Sequence, residues 1–179
     1  AVFVPDYELS TEKARQALPR ELPYKDAVYN VSRVGLLPAA MNPVVLAQAA
    51  QQGKSGVAAA PAQDADTCAC AGGTRESPFA DELAAAQAQS NALLFTATQD
   101  KLHQPYRGTL MPPSTELIAL FRSKGYAAAV SGAGPCVLVL HHGNAREAID
   151  QIASEQLASG HWRVLHLPIN TAGVEIERR

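Results

Sequence analysis

Apolar positions in this chain follow two periods. Ala1-Val2-Phe3-Val4-Pro5 is an unbroken run that reads as a strand. Ser10-Thr11-Glu12 opens a short helix, with a hydroxyl at the cap and an acid in the first turn, ended by Pro19. The spacing of Val28, Val31, Val34 or Gly35, and Leu37 or Pro38 predicts a second helix over 24–41. Leu83, Ala86 or Ala88, Leu93, Leu94, Ala97 and Leu102 stripe a third, starting near Asp81. After a loop over His103–Gly108, a fourth helix runs about 114–124 and stops at Gly125. Strands follow at 126–131 and 136–142, broken by Gly132-Ala133-Gly134-Pro135. A capping box of Asn144 and Glu147 opens a fifth helix whose buried face is Ile149, Ile152, Ala153 and Leu157. Gly160 closes it, Trp162–Leu167 is the last long strand, and Val174–Ile176 adds a short one.

With the extra helices set aside, the order is βαββαβ. That is an α+β sandwich of ferredoxin-like pattern, with helices on one face of an antiparallel sheet. The stretch 48–80 stands apart. It is rich in Ala, Gln, Gly and Asp, and its one large apolar residue is Phe79. Such a composition does not offset chain entropy, so it reads as a mobile insertion.

At 179 residues and 47% hydrophobic, the chain is long enough for one domain with a core. A net charge of −2 offers neither a basic footprint for nucleic acid nor a polybasic membrane patch. No apolar run approaches the roughly 18 residues needed to span a bilayer, and the start shows no signal-peptide pattern. Cys68, Cys70 and Cys136 make no disulfide framework, and Cys68-Ala-Cys70 is not metal spacing. The expectation is a reduced, cytoplasmic protein. Asn30-Val31-Ser32 fits a glycosylation sequon but lies inside a helical pattern without a secretion signal. A strand at the first residue reads as the C-terminal part of something longer.

Several motifs carry candidate chemistry. Two glycines between strands ordinarily make a hairpin turn; they also let a ligand or a second backbone come close. Thr11 and Arg15 share a helix face, either a solvated surface or a polar pair for a small anion or zwitterion, since an arginine fork binds a carboxylate bidentately. Arg107, in Gln104-Pro105-Tyr106-Arg107-Gly108, is either a surface residue or a rigidly presented carboxylate clamp. Gly53-Lys54-Ser55 is no P-loop, because position 48 is Gln and the segment follows a helix. The five histidines, at 103, 141, 142, 161 and 166, show no ligand spacing, so no metal site is expected.

Taken in order, LSTEKARQALP (9–19), KDAVYNVSRVGLL (25–37), DKLHQPYRGTLMP (100–112) and AVSGAGPCVLVL (129–140) resemble the C-terminal half of the homoserine kinase family of GHMP small-molecule kinases. The resemblance covers nearly the whole of 1–179 as a GHMP kinase C-terminal domain, with 48–80 as an insertion. It implies transfer of the ATP γ-phosphoryl group to the hydroxyl of L-homoserine, a step toward threonine. Thr11 and Arg15 match positions facing the amino acid, and Arg107 matches a position that pairs with its carboxylate. Gly132 lies beside the substrate, and Ser131, Gly132, Ala133 and Gly134 support the phosphate loop from across the cleft.

The resemblance assigns no catalytic residue here and leaves a homodimer open. ATP and Mg²⁺ belong mainly to an N-terminal domain whose Pro-x₃-Gly-Leu-Gly-Ser-Ser-like loop is not found in this sequence, so the chain alone is expected to be inactive. Cys136 stands where the family has Thr or Ser; it is expected to pack as a buried small hydrophobe, without a hydroxyl contact to the loop. Two rival readings remain: another GHMP small-molecule kinase, and a non-catalytic amino-acid-binding regulatory module of ferredoxin-like fold.

Overall fold

The computed structural model describes residues 1–44 and 78–169. Most of the low-complexity stretch, Gly53-Lys54-Ser55, Cys68, Cys70 and the short strand expected at 174–176 lie outside them.

Four strands form one antiparallel sheet: β1 (Val2–Pro5), β2 (Ala127–Val130), β3 (Val137–Leu140) and β4 (Trp162–Leu165), in the order β2-β3-β1-β4. This order has β1 between β3 and β4, as two interleaved βαβ crossovers require. The register pairs Phe3 with Val137 and with Val164, and Ala127 with Leu140. Between β1 and β2 lie α1 (Thr11–Gln16), α2 (Tyr24–Val34), α3 (Leu37–Ala40), α4 (Pro78–Ala97), α5 (Gln104–Arg107), a 3₁₀ turn (Gly108–Leu110) and α6 (Pro112–Ser123). Between β3 and β4 lie α7 (Arg146–Ile152) and α8 (Ser154–Ala158).

The main core sits between one sheet face and helices α6 and α7. Phe3, Leu117, Phe121, Ala128, Val137, Val139 and Ile149 are buried there, and the rings of Phe3 and Phe121 lie 5.1 Å apart. Each large side chain so buried contributes about 1.5–3 kcal/mol. The opposite face is also covered at the β2–β3 edge. There Ala127 packs with Ala40 of α3 and Leu94 of α4. Adjacent strand residues point to opposite faces, so Ala127 and Ala128 let helices close on both sides of β2. No described helix is long and apolar enough to cross a membrane.

Several expected elements change. The helix expected over 24–41 is two, broken after Val34 at Gly35 and Leu36. Val28, Val31 and Val34 do not reach the core; they are 48%, 73% and 61% exposed. The polar side of α2 faces inward instead. Tyr29 donates to Gln99 Oε1, Asn30 donates to Asp100, and Asp26 pairs with Lys101. The loop over 103–108 is helical. The expected capping box is absent: Ala145 is the N-cap of α7 and no side chain caps it. The fifth helix is divided at Ala153.

Candidate functional site

Helix α1 is short and held at two points. Ser10 Oγ accepts from the Lys13 amide, as the sequence predicts, and Ala14 is the one buried residue of the helix. Thr11 and Arg15 are both exposed on it. Helix α5 docks against α1: Arg107 Nε donates to the Ala14 carbonyl at 3.2 Å. The terminal nitrogens of Arg107 make no hydrogen bond among the described residues.

Arg107 lines a cleft of about 490 Å³ together with Gly132, Asp100, Gln104, Val34 and Leu138. The structure therefore brings Arg107 and Gly132 to one cavity. Thr11 and Arg15 are not in its wall, and they reach the site only through the α1–α5 contact.

The glycine turn runs from Ser131 to Cys136. The Ser131 amide donates to the Cys136 carbonyl at 2.8 Å, and the Gly134 amide to the Ser131 carbonyl at 3.2 Å. Gly132 has φ +64 with open space where a Cβ would point, while Gly134 has φ +95 and a Cβ there would lie 2.5 Å from Met111 Sδ. So one glycine admits a close approach from outside, and the other is dictated by the core beneath it. The Gly134–Pro135 peptide is cis. Below the turn, buried Ser114 of α6 donates to the Pro135 carbonyl at 2.5 Å and bonds the Tyr7 hydroxyl at 2.7 Å. Cys136 is free and only half-buried, so it is not the fully buried hydrophobe expected.

Asp100, Asn30, Gln104, Ser114 and Tyr7 went unrecognised in the sequence. Asp100 accepts from the amides of Leu102, His103 and Gln104 just ahead of Pro105, and an acid preceding a Pro-led helix start is a readable signal. Burial alone would raise its carboxyl pKa, but the hydrogen bonds from Gln104, Asn30, Leu102 and His103 outweigh that and hold it below the ordinary carboxylate value. Asn30, the sequon residue, spends its amide group on Asp100 and accepts from the Lys101 amide at 2.9 Å. Three of the histidines bind within the fold: His161 to Asp6 at 2.5 Å, His166 to Asp150 at 2.8 Å, and His142 to the Ala40 carbonyl at 2.8 Å. Among the described residues, no three His, Cys, Asp or Glu side chains converge as metal ligands.

Similarity to known proteins falls on the segment that carries much of this cleft and its glycine turn. The family described as GHMP kinases C terminal matches residues 79–158. The curated relatives are more particular, for they are homoserine kinases. That of Leifsonia xyli subsp. xyli is 34% identical over 179 residues, covering 99% of this chain and 41% of the relative. That of Clavibacter michiganensis subsp. michiganensis is 32% identical over 178 residues, 98% of this chain and 41% of the relative. A crystal structure of homoserine kinase from Cytophaga hutchinsonii shares the fold, with a TM-score of 0.54 and 17% identity, over 90% of this chain and 38% of that one. The chain thus spans about 41% of the length of the curated relatives it matches.

Proposed function

We propose that this chain is the substrate-side C-terminal portion of a homoserine kinase, a cytoplasmic enzyme that moves the ATP γ-phosphoryl group to the hydroxyl of L-homoserine. The observation that carries this reading is the shared cleft of Arg107 and Gly132, with Arg107 fastened to the helix that bears Thr11 and Arg15. Phosphoryl transfer needs little covalent help from the protein; it needs ATP, Mg²⁺ and an oriented hydroxyl held in line. With Nε committed to Ala14, the terminal nitrogens of Arg107 are left to grip a carboxylate. Arg15 and Thr11 lie outside the cleft wall, on the helix to which Arg107 is fastened, and face the amino acid from beyond that wall. Gripping the far end of homoserine aims its hydroxyl along the cleft toward Gly132. The open backbone there lets the substrate pass, and Ser131, Gly132, Ala133 and Gly134 brace the phosphate loop. ATP and Mg²⁺ are bound mainly by an N-terminal domain outside this chain, and residues 48–80 are an insertion in the C-terminal one.

The test is homoserine-dependent ADP formation by this chain and by a polypeptide extended upstream in its reading frame. Activity only in the extended form is expected. Homoserine binding with no turnover in either would favour the regulatory module; turnover of a different small alcohol would favour another GHMP kinase.

A further inference from the structure

Asp100 is 13% exposed at its side chain and accepts four hydrogen bonds. Oδ1 takes Asn30 Nδ2 at 2.5 Å and the Leu102 amide at 2.9 Å. Oδ2 takes the His103 amide at 2.9 Å and the Gln104 amide at 2.5 Å. Such a carboxylate fixes the direction in which the chain leaves it, because three consecutive amides must converge on one group. The chain leaves as α5, one turn long, ending at Arg107. A single turn has too few internal bonds to hold its own direction, so its entry sets where Arg107 points.

The same segment reaches the opposite wall of the cleft. Gln104 Oε1 accepts from the Val130 amide at 3.1 Å, and Val130 is the residue before the Ser131–Gly134 turn. From the third side, Asn30 and Tyr29 of α2 bind Asp100 and Gln99. The Asp100 carboxylate thus orients a segment with Arg107 at one end of its reach and the glycine turn at the other.

We infer that Asp100 is a positioning residue of the amino-acid site, setting Arg107 through α5 and the Ser131–Gly134 turn through Gln104. The inference rests on the kinase reading for its consequence in catalysis, but not for its geometry. An aspartate that served stability alone would have no bearing on the Arg107 side chain of a folded variant.

Two readouts separate these roles. In this chain, the arginine Nε–H resonance of Arg107, identified by its loss in Arg107→Lys, reports the bond to Ala14. In Asp100→Ala its exchange should quicken at least fivefold while the Val139 amide in the sheet stays protected; Asp100→Asn should lie between. In the upstream-extended polypeptide, Asp100→Ala should raise KM for L-homoserine about tenfold and leave KM for ATP within twofold. Should the alanine variant not fold, Asp100→Asn carries both measurements. Unchanged exchange at Arg107 in a folded variant would overturn the inference, as would equal rises in both KM values. If the wild-type extended polypeptide forms no ADP with homoserine, the kinase reading fails, and the Arg107 resonance alone decides on Asp100.

Discussion

Arg107 and Ala14 are 93 positions apart, and one hydrogen bond of 3.2 Å joins them, from the guanidinium Nε to a helix carbonyl. It ties the one-turn helix α5 to α1, and so places an arginine of the cleft next to the helix carrying Thr11 and Arg15. Ala14 is fully buried, which makes its carbonyl a firm anchor. The edge of the guanidinium turned away from that anchor is the edge suited to a carboxylate.

Arg107→Ala in the extended polypeptide should lower kcat/KM for L-homoserine by about 2–4 kcal/mol, the cost of removing one partner of a charge contact. Arg107→Lys keeps the charge but not the planar fork, so it should recover only part of that loss. Steady-state kinetics with homoserine varied at saturating ATP make the comparison. An unchanged kcat/KM would remove Arg107 from the site.

The two turn glycines should respond differently to alanine. Gly132 has a positive φ but an open flank, so Gly132→Ala should cost about 1–2 kcal/mol of stability. Gly134 adds a clash with buried Met111, so Gly134→Ala should cost about 2–4 kcal/mol. In a functional assay the order should reverse relative to stability, with Gly132→Ala the more damaging to homoserine binding. Denaturant midpoints and homoserine KM, measured on both variants, test the pair.

Val31 is 73% exposed on the outward face of α2. Val31→Asp should therefore change the stability of this chain by no more than about 0.5 kcal/mol. A loss of several kcal/mol on urea unfolding would mean that the face is covered in solution.

Acid should destabilise the fold in two stages. Burial pushes the His141 pKa below its ordinary value, and the nearby His166 and His142 push the same way. The folded state therefore prefers neutral His141, and stability falls as pH drops below about 6.5, the ordinary histidine value. Asp100 acts lower on the scale. Its folded pKa is depressed, so its contribution is present above the ordinary aspartate value of about 3.9 and is lost as pH falls through the lower folded value. Thermal midpoints against pH should show both declines. His141→Gln should flatten the first, and Asp100→Asn the second.

Local chemistry determined much of this protein from sequence alone. β-branched and aromatic runs at 2–5, 137–140 and 162–165 leave little alternative to strands, and Ser10 caps α1 by side-chain reach within three residues. The glycine turn is local for the same reason, since positive φ at Gly132 and Gly134 is a demand on single residues. What the tertiary structure decided is what periodicity does not encode. The valine stripe of α2 has helical spacing, but spacing does not say which side faces in. Here the bonds of Tyr29, Asn30 and Asp26 to residues 99–101 outweighed burial of Val28 and Val31 and turned the helix round. The cleft itself depends on residues far apart in the chain, Arg107 on Ala14 and Gln104 on Val130. A bond between distant segments leaves no period in the sequence, because its partners are chosen by how the helices stack against the sheet.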